Sequence, residues 1–194
     1  MKRIRPEVRV CLALVTAAVV LAWASPSMAL DAHQDRRGLF SGVSLGGGAA
    51  IVPDGDTGGE ILLDFQLGGG ATENLTLCLD VDFAFQLLDS YQNWLVVPGP
   101  ELNYFIWEGL FVRVGFGMAL TFIRGDEVQG PPTPGSDVED NDFTLGFDMG
   151  AGLGYEFFAN SNLAMGLAAE FDYYLLDEVD DVMGVGFSFG IRYY

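Results

Sequence analysis

Leu110-Phe111-Val112-Arg113-Val114-Gly115-Phe116-Gly117-Met118-Ala119-Leu120-Thr121-Phe122 decides how the rest of the chain is read. Leu110, Val112, Val114, Phe116, Met118, Leu120 and Phe122 fall on alternate positions, and Phe111, Arg113, Gly115, Gly117, Ala119 and Thr121 fall between them. A period of two puts the first set on one face of an extended strand; a helix would scatter it around its circumference. The same alternation runs from Phe143 to Phe157 and from Leu163 to Leu175.

Worked outward from these three, the pattern predicts eight strands, near 38–51, 60–71, 75–87, 93–105, 110–122, 143–157, 163–175 and 182–194. No helical period follows residue 29. The connections alternate as well: 72–74, 106–109 and 159–162 are tight, whereas 52–59, 87–92, 123–142 and 176–181 are longer and acidic. A meander with short turns at one end and long loops at the other is the plan of a membrane barrel. The stretch 123–142, rich in Gly, Pro and Asp, is awkward inside a compact soluble domain and ordinary on a barrel rim.

Residues 1–29 form a separate object. Lys2, Arg3, Arg5 and Arg9 precede the apolar run Val10–Trp23, and Ser27-Met28-Ala29 supplies small residues for cleavage. This is the three-part secretory signal, with cleavage expected after Ala29. The expected organisation is therefore a signal peptide at 1–29, a polar lead at 30–37 and a barrel at 38–194.

Charge narrows the function classes. The whole chain has 9 basic and 27 acidic residues, a formal −18. Past residue 29 the only cations are Arg36, Arg37, Arg113, Arg124 and Arg192, with no lysine. Such a chain offers phosphates no basic face, so nucleic acid is not an expected partner. His33 is the single histidine, in the lead, and Cys78 is the single cysteine past the signal. Nucleophilic catalysis of the Ser–His or Asp–His kind needs a histidine beside the nucleophile. The chain is therefore read as non-enzymatic, without cofactor or structural metal.

The faces separate by chemistry. The apolar faces carry almost no ionisable group. The opposite faces carry Glu60, Asp64, Asp80, Asp82, Glu101, Arg113, Asp148, Glu156, Glu170, Asp172 and Arg192. A soluble carrier barrel would invert this. Small residues such as Gly46, Gly115, Gly117, Gly150 and Gly152 share the polar faces. They suit the narrow interior of an eight-stranded barrel. Trp94, Tyr104, Tyr155, Tyr173 and Tyr193 lie near strand ends on the apolar face, where interfacial aromatic girdles sit.

The last strand reads Val185-Gly186-Phe187-Ser188-Phe189-Gly190-Ile191-Arg192-Tyr193-Tyr194. With the signal, the alternation and the loop asymmetry, it resembles the small eight-stranded outer-membrane barrels of Gram-negative bacteria, the OmpA/OmpX-type and OmpW-like families. The resemblance covers residues 38–194. It implies an all-β, antiparallel up-and-down transmembrane barrel in the outer membrane, apolar outside and polar and Gly-rich inside. It also implies the lipid and lipopolysaccharide of that membrane as surroundings and assembly by the barrel-assembly machinery. Tyr193 continues the lipid-face series and Tyr194 falls out of phase.

Three functional readings stay open on the sequence. One is a structural barrel with a narrow or gated pore for small solutes. A second is a surface binding module working through acidic loops, with divalent cations as a partner class. The third is a carrier for small hydrophobic molecules.

The candidate site lies in the lumen. Glu101 and Arg113 stand six residues to either side of Trp107, so a hairpin centred there makes them direct cross-strand neighbours. Glu156 and Arg192 fall near the same ends of their strands. These four are expected to form an ion-pair cluster closing the periplasmic side.

Overall fold

The computed structural model describes residues 35–53, 57–88, 91–125, 142–177 and 180–194. The expected signal peptide, His33 and most of the 123–142 loop lie outside the described residues. Eight strands follow one another: β1 (Gly38–Ile51), β2 (Thr57–Thr72), β3 (Leu75–Leu87), β4 (Tyr91–Trp107), β5 (Leu110–Gly125), β6 (Asp142–Phe158), β7 (Leu163–Leu176) and β8 (Val182–Tyr193). Each pairs antiparallel with its neighbours in sequence, and β1 pairs with β8, so the sheet closes into a barrel with no free edge. Closure gives every strand two hydrogen-bonding partners, the condition for crossing hydrocarbon.

Side chains divide as the pleat requires. Val114, Phe116, Phe147, Leu167 and Phe187 stand on the outer surface, with Phe187 72% exposed. Ser44, Asp64, Asp80, Glu101, Glu156 and Arg192 are buried on the inside. Glycine lets adjacent strands close where a side chain cannot fit. A Cβ on Gly48 would collide with the Val185 carbonyl across β1 and β8, and one on Gly68 with the Leu77 carbonyl.

The strands outrun the sequence pattern at several ends. β4 extends to Trp107 and β5 to Gly125, because ladder pairing continues after alternation has faded. A second difference concerns register. β4 and β5 pair Asn103 with Arg113 and Glu101 with Gly115, so Glu101 and Arg113 are not direct neighbours. The cause is the turn: Trp107 pairs with Leu110, so the chain reverses at Glu108 and Gly109, and past an irregularity between Phe105 and Trp107 the ladder is centred on Glu108. Glu108 takes the turn with φ of 45°, a left-handed conformation uncommon outside glycine.

Candidate functional site

The interior is filled in layers. At the short-turn end, Phe40, Phe105, Phe111 and Phe158 point inward and are buried. Tyr194 joins them, its ring 5.4 Å from both Phe40 and Phe158. The phase slip that separates Tyr194 from the lipid-face series thus turns it into the lumen, where its hydroxyl donates to Glu156 at 3.2 Å. Arg36, placed in the polar lead by the sequence reading, enters the same layer and is 1% exposed. Its guanidinium lies 3.7 Å from the Phe105 ring centroid. A planar cation can stack there and still reach a carboxylate.

Beyond the aromatic layer lies a relay of alternating charge. Arg36 Nε contacts Glu156 at 2.8 Å, and Glu156 contacts Arg192 at 3.2 Å. Arg192 stands 3.7 Å from Glu101, Glu101 stands 3.5 Å from Arg113, and Arg113 reaches Glu170 at 2.7 Å. Three guanidiniums thus alternate with three carboxylates, so the relay as a whole is neutral. Hydrogen bonds from neutral side chains to its charged groups brace it. Gln66 donates to Glu101 at 3.1 Å and accepts from Arg192 at 2.9 Å, while Asn103 donates to Glu101 at 2.8 Å. The Ser188 hydroxyl holds Glu170.

The structure therefore brings Glu101, Arg113, Glu156 and Arg192 together, although the Glu101–Arg113 contact is diagonal across the hairpin. The shortest contact of Arg113 is with Glu170, on β7. Sequence reasoning missed Arg36 and Glu170 as members. Glu170 carried a signal in its inward phase, whereas nothing in the alternation marked Arg36. Outside the wall, Arg37 pairs with Asp35, and that hydrogen-bonded contact holds the Asp35 carboxyl down to about 2.

Deeper along the barrel, Asp64, Asp80, Asp82, Asp148 and Asp172 border a cavity of about 30 Å³. That is space for roughly two waters. A second cavity of about 30 Å³ lies beside Arg192 and Phe111. Toward the long-loop end the inward face turns apolar, with Leu62, Ala84, Leu95, Val97, Leu176 and Val182 in one packed cluster. There Gln86 donates to Glu60 at 2.8 Å.

No family model matches the chain, and no curated protein does. Among solved structures, it is similar to the Neisserial surface protein A, at 16% identity, a TM-score of 0.56 and coverage of 81% of this chain and 99% of that one. It is also similar to Ail, the attachment invasion locus protein of Yersinia pestis, at 15% identity, a TM-score of 0.50 and coverage of 81% and 98%. At these identities the likeness is one of fold, and the fold is that of a small eight-stranded membrane barrel.

Proposed function

We propose that this protein is an integral outer-membrane barrel with a closed lumen, non-enzymatic, whose contribution lies in its wall and its exposed loops and not in solute flux. The carrying observation is the filled interior. An aromatic layer and a charge relay occupy the short-turn end, an apolar cluster occupies the other, and cavities of about 30 Å³ remain between them. Eight strands leave an interior just wide enough for side chains to fill, and here they fill it.

The outer face supports membrane insertion. Leu45, Leu79, Phe116, Phe147 and Phe187 are exposed on it, in a belt that water would penalise and hydrocarbon would not. Strands of 12 to 17 residues exceed the roughly 9–11 that a tilted strand needs to cross a bilayer. In this orientation the short turns and the relay face the periplasm and the acidic loops face outward. The outward series Phe187, Phe189, Ile191 and Tyr193 supports delivery by the barrel-assembly machinery into a bilayer of phospholipid and lipopolysaccharide. The chain's single histidine, His33, lies in the lead, which supports the non-enzymatic reading.

Planar-bilayer recording tests the closed lumen. The refolded protein is expected to insert without steady current. Reproducible single-channel steps from protein whose insertion is verified would overturn this reading in favour of a pore.

A further inference from the structure

The lead that precedes β1 turns into the barrel mouth. No ladder pair involves residues 35–37, yet Arg36 is 1% exposed. Gly38 stands at the entry with φ of 116°, a conformation open to glycine and rare for other residues. Beside it the Arg36 carbonyl lies against Gly70, where an added Cβ would strike it. Outside the wall, Arg37 reaches Asp35 and Glu73, but these side chains stand in water, where ion pairs hold little. Arg36 is thus the buried anchor of a short strap.

What receives Arg36 is built by other strands. Its guanidinium carbon lies 3.7 Å from the Phe105 ring centroid and 5.4 Å from that of Phe158, and its Nε donates to Glu156 Oε1 at 2.8 Å. Glu156 is buried and accepts the Tyr194 hydroxyl at 3.2 Å. Phe105 belongs to β4, Glu156 and Phe158 belong to β6, and Tyr194 follows β8. Contacts independent of the strap hold these groups: Phe105 packs on Phe111 and Phe158 on Tyr194, each pair with ring centroids 5.4 Å apart. Two aromatic rings beside a buried carboxylate suit a planar, weakly hydrated cation, which stacks through its face and donates in its plane. Charge points the same way. Without Arg36 the relay keeps Arg192 and Arg113 against Glu156, Glu101 and Glu170, so the emptied place lacks one positive charge.

We propose that the short-turn mouth is a guanidinium-binding site and that Arg36 is its built-in occupant, an autoinhibitory strap with which small guanidinium compounds compete. The receptor groups are Glu156, Phe105 and Phe158, with Tyr194 holding Glu156 in place. Tethering gives Arg36 a high effective concentration at the site. A free ligand binds only the fraction of molecules whose strap is out, and its apparent affinity falls by that fraction. Calling this mouth periplasmic rests on the membrane reading; the binding site itself rests on the geometry around Glu156.

Calorimetric titration of butylguanidinium into the protein in phosphatidylcholine nanodiscs, with empty nanodiscs as the blank, tests it. R36A should show a saturable one-to-one site, and the unaltered protein should bind at least tenfold more weakly. R36A combined with E156Q should also bind at least tenfold more weakly than R36A alone. Butylurea, with a similar planar head and no charge, should show no saturable binding to R36A. β-rich circular dichroism and heat-dependent gel migration identify folded, inserted protein. If R36A refolds poorly, its refolding yield is titrated with butylguanidinium and with butylurea, and recovery with the first alone is expected. No saturable site in folded R36A, an equal response to butylurea, unchanged affinity on adding E156Q, or no recovery of yield overturns the site. Equal affinity in R36A and the unaltered protein overturns the strap as its occupant. If the unaltered protein folds in detergent micelles but does not insert into nanodiscs, the membrane reading falls, and the same titration in micelles decides the site.

Discussion

Removing Arg192 and Glu101 together should cost far less than the two single changes added. In the relay Arg36–Glu156–Arg192–Glu101–Arg113–Glu170, each interior member faces two opposite charges. Arg192→Met leaves Glu101–Arg113–Glu170 with one excess negative charge, and Glu101→Gln leaves Arg36–Glu156–Arg192 with one excess positive charge. An uncompensated buried charge costs roughly 3–5 kcal/mol. Gln66 and Asn103 still donate to Glu101, so each single variant is placed near the low end, about 3 kcal/mol. The double variant leaves two separate neutral pairs, Arg36–Glu156 and Arg113–Glu170. Its expected cost is about 3–4 kcal/mol in place of about 6, a coupling of about 2–3 kcal/mol. Arg113→Met with Glu101→Gln supplies the contrast, because it strands Glu170 without its 2.7 Å partner and should recover little. Urea unfolding in lipid vesicles, followed by tryptophan fluorescence, gives all the terms. Additivity of Arg192→Met and Glu101→Gln within about 0.5 kcal/mol would refute a relay acting as one unit.

Val114→Arg and Phe147→Arg place a charge on the outer face and should each cost about 2–4 kcal/mol if near the midplane, whereas Asp177→Arg on the exposed rim should cost little; the same unfolding assay in vesicles compares them. Glu108→Gly relieves a left-handed backbone and should stabilise the barrel by a few tenths to about 1 kcal/mol, read as a raised urea midpoint. Gly48→Val should abolish folding by collision with the Val185 carbonyl, while Gly59→Ala, with nothing within 4 Å of the added Cβ, should fold in normal yield, both scored by gel migration of the heated and unheated protein.

The strands were legible because alternation is local: Leu110 to Phe122 declares its faces with no knowledge of its neighbours. Register was less legible because it depends on turn geometry. The chain reverses at Glu108 and Gly109 and not at Trp107, so the ladder centres on Glu108 and the Glu101–Arg113 contact is diagonal. The convergence of Glu101, Arg113, Glu156 and Arg192 nonetheless follows from their shared level on the inward face. Arg36 was hidden because a polar residue before a strand reads as solvated lead, and only the aromatic layer around Phe105 and Phe158 gives its guanidinium a place inside. The gap in β4–β5 pairing between Val96–Leu120 and Glu101–Gly115 did have a sequence signal. Pro98-Gly99-Pro100 within an alternating strand announces missing donors, but which neighbour loses them depends on the direction of the β4 amides.

That the outer face meets lipid is the claim on which the rest depends. Fluorescence quenching by lipids brominated in the acyl chain tests it most directly, using Phe187→Trp in a chain whose Trp23, Trp94 and Trp107 are changed to Phe. Phe187 lies mid-strand in β8 and is 72% exposed. Strong quenching by the brominated chains, with protection from aqueous iodide, is the predicted result. Free access to iodide with no quenching by brominated lipid would place this face in water and contradict the account.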